Sequence, residues 1–400
     1  MTASLDHPGW PAHEIEALPW QQRARGGTRE DRMVRSIDAT IPPFIEHLDY
    51  MPPLGLISLA ESALIAIAQA DTDAAGKSVA LSRFMIRTES VASSKIERIT
   101  ASAEDYARAI AGNRSNSSAV SMVAASSALH ELVTVVGERG VFSLDDVLDA
   151  HRSLMNEDPV EADYAGRLRD MQNWVGGSDY SPRGALHVPP APERVEPLMR
   201  DLLGYLNRDD VPALIQASIA HAQFESIHPF IDGNGRVGRA LVSASLRRRG
   251  VTRNAVIPLA SGILARRDEY FEALGIYRRG DPAPVVELFA RAARVAALES
   301  RTSIDRIKAL PGEWIDEVKP RKGSALAALL PVFFDHPVMN ADEVERYSGA
   351  KTVQAYAAID RLVEAGVIRE ITGRKRDRVW VAADLLAELD ELDRRIQRAM

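Results

Sequence analysis

From residue 54 onward, apolar positions recur mostly three and four apart, the spacing that lines one face of a helix. The pattern runs through LGLISLAESALIAIAQA (54–70), SRFMIRTESVASSKIERI (82–99), SMVAASSALHELVTVVGE (121–138), SLDDVLDAHRSLMN (143–156) and PERVEPLMRDLLGYLNR (192–208). It resumes at VPALIQASIAHAQFESI (211–227) and continues to about residue 300. Asp145 and Asp146 stand where a helix start favours acids, because the dipole there is positive. Ahead of these segments, residues 1–35 read as polar and irregular, and IPPFIEHLDYMPP (41–53) as proline-punctuated extended chain.

Two intervals break the helical rhythm. GRLRDMQNWVGGSDYSPRGALHVPPAP (166–192) is rich in Gly, Pro and aromatic residues, and reads as a β-hairpin flap or as a plain surface loop. ALPGEWIDEVKPRKG (309–323) reads as a linker. The last segment has its own order. A helix at 324–337 is followed by NADEVERYSG, where Asn340 and Glu343 form a capping-box pattern. A helix at 352–365 is then capped by Thr352 and stopped at Gly366. VIREITGRKRDRVWVA alternates like two strands around Gly373. Helix, helix–turn–helix and hairpin together make a winged-helix pattern.

Composition narrows the classes. A chain of 400 residues is expected to hold two or three domains, and 46% hydrophobic residues can supply sizeable cores. A net charge of −7 argues against a surface that coats nucleic acid or membrane. With no cysteine there is no disulfide, thiol nucleophile or cysteine metal site. The N-terminus does not read as a secretory signal. No stretch approaches the roughly 18 apolar residues of a membrane span. The expectation is a cytoplasmic protein without a membrane segment.

The chemistry concentrates in IHPFIDGNGRVGRAL (227–241). Gly233, Asn234 and Gly235 make a turn leading into a helix. Free backbone N–H groups and the positive dipole end there form an anion site that glycine lets phosphate approach. Arg236 and Arg239 emerge from the first turn, three residues apart, and suit a polyphosphate. Asp232, just before this nest, suits Mg²⁺, a hard cation with oxygen ligands. His228 can take a proton near neutral pH. Together these groups describe transfer of a phosphorus-centred group from a nucleoside triphosphate to a hydroxyl.

HPFIDGNGRVGR (228–239) closely resembles the signature of the Fic family, H-P-F-x-D/E-G-N-G-R-x-x-R, and matches it at every fixed position. AHAQFESI, the 166–192 flap and IPLASGILARRDEYFEAL (257–274) extend the resemblance over roughly residues 30–300. It implies transfer of AMP from ATP to a Ser, Thr or Tyr hydroxyl of a target protein or of the chain itself, with release of pyrophosphate. His228 would be the general base and Asp232 the Mg²⁺ ligand. Gly233, Asn234, Gly235, Arg236, Gly238 and Arg239 would bind the nucleotide. Tyr270 would line the adenine pocket. The flap would position the target by strand-like pairing.

TESVASSKIERI (88–99) resembles the family's inhibitory helix, S/T-x-x-x-E-G/N, with Ser93 and Glu97 in place. The resemblance implies that Glu97 pairs with Arg239 and disturbs the γ-phosphate. Arg98 stands where Gly or Asn is usual, so the helix is expected to continue past Glu97. The fold class expected is mainly α: a Fic-type helical core with a β-hairpin flap, plus a C-terminal winged helix-turn-helix domain. Its parts are an irregular 1–35, a helical region at 36–120 with the inhibitory helix at about 88–98, a core at 121–300, a linker at 301–323 and the winged helix at 324–400. The wing carries Arg374, Lys375, Arg376 and Arg378 and could meet DNA phosphates. The helix at 352–365 is not basic, so docking to protein is an equal alternative. A DNA-binding regulator with a nucleotide-sensing or idle core, and transfer of another phosphorus group, are the alternative functions. A homo-oligomer is allowed.

Overall fold

The computed structural model describes residues 9–22, 25–76, 79–373 and 378–400. In chain order the elements begin with β1 (Glu14–Pro19), α1 (Arg29–Met33), β2 (Ser36–Ile41), α2 (Leu54–Asp73), α3 (Val79–Ile96), α4 (Ala103–Ile110), α5 (Ser117–Arg139) and α6 (Leu144–Met155). Next come α7 (Val195–Leu206), α8 (Ala213–Ile227), α9 (Asn234–Arg248), α10 (Leu259–Ala265), α11 (Arg267–Arg278) and α12 (Ala283–Val318). The chain ends with α13 (Ala325–Asp335), β3 (Val338–Asn340), α14 (Ala341–Ser348), α15 (Thr352–Glu364), β4 (Ile368–Glu370), β5 (Val379–Ala382) and α16 (Ala383–Ala399). The mainly α class is borne out.

The chain forms two compact units, neither of them one continuous segment. The first comprises residues 1–62, 128–251 and 266–291. It contains secondary structure in a stretch expected to be irregular. β1 and β2 pair antiparallel, with Ile15 opposite Thr40 and Leu18 opposite Ile37, and Thr28 caps α1 with Asp31. The period-two alternation of SIDATI turns Ile37 and Ala39 inward. α6 starts at Leu144, with Asp145 and Asp146 in its first turn as expected, and opens with a Ser143–Asp146 capping box. α8 is buried along its whole length and packs on α9.

The second unit comprises residues 63–127, 252–265 and 292–400. α3 packs on α10 and α16 here. Asp71 Oδ1 accepts the backbone N–H groups of Arg253, Asn254 and Ala255 at 2.8–3.0 Å, and Glu89 accepts that of Ala260 at 2.8 Å. The C-terminal elements appear in the expected order, with β3 added. They form an antiparallel sheet of order β3-β5-β4, and Asn340 and Glu343 make the capping box. Lys351, not Thr352, is the N-cap of α15, and Gly366 at φ +73° follows its end. Val379, Val381 and Leu386 share a core with Ala107 of α4.

Three expectations need correction. α12 runs through Pro311 and Gly312 to Val318, so most of the expected linker is helix. Among the described residues, α2 and α5 are long and apolar enough to cross a membrane, although no such stretch was expected. Buried Ala60, Ala63, Ile67 and Ala70 of α2, and Met122, Leu129 and Val136 of α5, are what a core helix also presents. Finally, α3 does not continue past Glu97. It ends at Ile96, and Arg98 takes the left-handed conformation at φ +62°. The Ile99 N–H returns to the Ser94 carbonyl at 3.1 Å and the Arg98 N–H to Lys95 at 3.0 Å, a helix closure of the kind glycine usually makes.

Two predictions arise from the fold. Arg98→Gly relieves a left-handed strain of about 1–2 kcal/mol and gives back about 0.4–1 kcal/mol in unfolded-chain entropy. Urea unfolding should show a net gain near 1 kcal/mol, and a loss would contradict the assigned backbone role. The second concerns buried histidines in the first unit. Burial, first among the causes, lowers His13, His221 and His228 to about 3 and His151 to about 4, and His187 falls well below 6.5. Between those values and 6.5 the unfolded chain binds more protons than the folded one. Stability therefore rises with pH across that window and is lost as pH falls through it, by about 1.4 kcal/mol per pH unit for each histidine. Thermal midpoints should drop steeply from pH 6.5 to 4. A flat profile there would contradict this burial.

Candidate active site

The site is built where α8 hands over to α9. His228 caps the C-terminus of α8 in the left-handed conformation, φ +48° and ψ +62°, and its N–H bonds the Phe224 carbonyl at 2.8 Å. Such a backbone in a non-glycine residue persists only when its surroundings hold it. Here Arg169 holds it. Its Nε donates to the His228 carbonyl at 2.8 Å, and its Nη2 donates to Pro190 at 2.5 Å and to Ile227 at 3.4 Å. The Arg169 backbone N–H donates to Pro229 at 2.9 Å.

The His228 ring faces two amides. Asn173 Nδ2 lies 3.0 Å and Asn234 Nδ2 3.3 Å from Nδ1. Burial, then the positive charges of Arg169 and Arg278, lower His228 to about 3. The ring is therefore neutral at ordinary pH.

The next turn prepares the start of α9. Gly233 is the N-cap at φ +79°, and a Cβ there would come within 2.9 Å of Leu154 and 3.2 Å of Met155. His151 stacks on Phe230 with ring centroids 3.7 Å apart. The Gly166 N–H donates to His151 Nδ1 at 3.0 Å, which leaves Nε2 to donate to the Asp232 carbonyl at 3.1 Å. Asn234 closes the loop: its Oδ1 accepts the Phe230 N–H at 2.9 Å and its Nδ2 donates to the Phe230 carbonyl at 2.8 Å. Asn234, Gly235 and Arg236 then open α9, where helix geometry gives the first N–H groups no carbonyl of their own.

The Asp232 side chain is 57% exposed and lies 3.4 Å from Arg236 Nη2. Glu161 is close enough that Asp232, after burial, raises its carboxyl above the usual range. Among the described residues no group of three or more His, Cys, Asp or Glu could hold a metal by itself. One exposed carboxylate suits Mg²⁺, which takes one or two protein carboxylates and fills its shell with water and substrate phosphates.

The structure thus brings His228, Asp232, Gly233, Asn234, Gly235, Arg236 and Arg239 together on one loop and helix start, with Arg236 and Arg239 buried in α9. Two expected nucleotide residues are placed differently. Gly238 faces α8, where a Cβ would lie 2.9 Å from Glu225 and 3.0 Å from Phe224, so it serves close helix packing. Tyr270 is 1% exposed and its hydroxyl bonds His221 Nε2 at 2.9 Å, so it lies in the core. Ser93, buried in α3, and Glu97, exposed just beyond it, belong to the second unit.

The flap is a turned loop with one bridge, Val175 opposite His187, where two strands were expected. Its outer limb is tied to β2, since the Thr40 N–H donates to Val188 at 2.9 Å. Its tip is tied to α1, since Ser181 Oγ donates to Asp31 at 2.8 Å, and Trp174 meets Trp20 edge-on at 5.4 Å. Arg169, Asn173, His151 and Glu161 were not found from the sequence. No spacing relates them to the motif, because only the fold brings them to it.

Residues 141–246 match the family model described as "Fic/DOC family". The chain is 33% identical over 173 residues to protein adenylyltransferase fic-1 of Caenorhabditis elegans, 42% of this chain and 29% of that one. It is 34% identical over 152 residues to protein adenylyltransferase Fic of Drosophila erecta, 37% of this chain and 27% of that one. The matches thus span under a third of the length of these curated relatives. A solved Fic family protein from Desulfovibrio desulfuricans G20 shares the fold, with a TM-score of 0.54 and 22% identity over 83% of this chain and 97% of that one. From the match at 141–246 and the geometry it encloses, the chain carries a domain of the Fic/DOC family.

Proposed function

We propose that the chain transfers AMP from ATP to a hydroxyl side chain of a protein. The observation that carries this reading is a neutral histidine held beside a glycine-capped helix start that bears two arginines. In the reaction the hydroxyl oxygen bonds to the α-phosphorus, the bond from that phosphorus to its bridging oxygen breaks, and pyrophosphate leaves. His228 takes the hydroxyl proton. The start of α9 and the positive charge of Arg236 and Arg239 would counter phosphate charge. Asp232 is the residue that would hold Mg²⁺, and the ion when bound neutralises phosphate charge. The curated relatives are adenylyltransferases by name, which supports the same reaction class.

For residues 324–400 we read a winged helix-turn-helix, supported by the order α13, β3, α14, α15, β4, β5. Arg374, Lys375 and Arg376 of the expected wing lie outside the described residues. Arg378 is engaged internally, 2.6 Å from Glu370 and over the Trp380 ring at 4.8 Å.

We further infer that Glu97 restrains transfer. The support is local: Arg98 adopts the left-handed shape that Gly or Asn provides in the inhibitory motif this stretch resembles.

Two measurements test these readings. Mass spectrometry of the chain and candidate targets with ATP should find the mass of one AMP moiety on a Ser, Thr or Tyr. His228→Ala should lower that product by at least about a hundredfold. Addition of phosphate alone would replace this reaction with another. Glu97→Gly should raise initial rates at saturating ATP by about an order of magnitude or more, since a misplacement of about 1 Å can cost roughly a hundredfold. Equal rates would remove the restraint.

A further inference from the structure

We propose that Asn173 is the positioning residue that decides which nitrogen of His228 carries the ring proton, and that transfer proceeds after its amide has turned over. The catalytic half of this rests on the adenylyl-transfer reading; the assignment of the proton does not.

The argument begins with Phe230, whose backbone fixes how both amides point. Asn234 Oδ1 accepts the Phe230 N–H, so Asn234 Nδ2 is the atom 3.3 Å from the ring. Asn173 Nδ2 donates to the Phe230 carbonyl at 2.8 Å and lies 3.0 Å from His228 Nδ1. Two N–H donors thus converge on Nδ1. Nδ1 can only accept, and in a neutral imidazole the proton then sits on Nε2. The ring is neutral because burial, Arg169 and Arg278 all disfavour a second proton. His187, whose own value the His228 charge would lower, adds no negative charge. The position of the single proton is therefore the variable.

In this form Nε2 offers a proton where a base must offer a lone pair. Asn173 contains the remedy. Its Oδ1 is buried and has no hydrogen-bond partner. Such an oxygen is costly where it stands. Turned over, the amide presents Oδ1 to Nδ1 at the shorter of the two contacts, 3.0 Å against 3.3 Å for Asn234, and the ring gives its Nε2 proton to water and takes one from water at Nδ1. Nε2 then has the lone pair that takes the hydroxyl proton. Phe230 keeps its bond from Asn234 throughout. The turn must also carry Asn173 Oδ1 clear of the Phe230 carbonyl, which ties it to movement of the flap root. That root is anchored on both sides: Gln172 Nε2 donates to Pro189 at 2.8 Å and Trp174 Nε1 to Ser178 at 2.7 Å. The flap thus reports its position to the base through one side chain.

The test uses the full chain, its Asn173→Asp and Asn173→Ala variants, and ring-¹⁵N histidine NMR without nucleotide. The parent should show His228 protonated on Nε2. Asn173→Asp, which offers only oxygens, should move the proton to Nδ1, and Asn173→Ala should give a mixture. With ATP and target, kcat of Asn173→Asp should exceed that of Asn173→Ala by at least about tenfold with little change in the KM for ATP, since a catalytic histidine held in the wrong form can lose far more. A parent ring already protonated on Nδ1, or one form in all three proteins, overturns the proposal. A proton that moves while kcat does not overturns the catalytic half. Proton positions as expected with no AMP transfer in any of the proteins support the assignment and overturn the function reading instead.

Discussion

One buried guanidinium holds the arrangement together. Arg169 bonds the carbonyl of His228 at the end of α8, that of Pro190 at the far root of the flap, and that of Pro229 through its backbone. It fixes the unfavourable left-handed turn that aims His228 and joins the flap to the same point. Burial lowers Arg169 to about 10, so it remains charged at neutral pH. Its charge then works a second time, against protonation of His228. Loop shape and base state are thus set by a single side chain, and changing it would alter both together.

Close approach supplies the other constraint. Gly238 lets α9 lie against Phe224, His221 and Glu225 of α8, and Gly233 lets the turn pass under Leu154 and Met155 of α6. A helix N-terminus draws anions through its first N–H groups and its dipole, and both glycines set how that end of α9 is packed. The motif's glycines therefore divide their labour: Gly233 shapes the turn and Gly238 seats the helix.

What could be read in the sequence follows from which physics is local. Helical periodicity located α6 to α9, and the Asn340 cap was legible because its donor and acceptor are three residues apart. The site loop was legible because His228 to Arg239 is one continuous segment. Arg169 and Asn173 were not, since His228, which both bond, lies more than fifty residues away from each. Proline and glycine suggested a linker at 309–323, yet tertiary context carries α12 through both. Arg98 misled for a related reason: residue preference predicts a backbone shape only weakly when the following residue can close the helix with its own hydrogen bond.

The flap joins these levels. Its hairpin character was expected from composition, but only one bridge closes it, and its hold comes from outside: Thr40 of β2, Asp31 of α1 and the Trp20 ring. A two-stranded ribbon is marginal by itself in water. By borrowing partners from the N-terminal 62 residues, it can stay short and present its inner root, Gln172 to Trp174, to His228. The N-terminal stretch that looked irregular in sequence is thereby part of what shapes the site, because the flap has no other strand to lean on among the described residues.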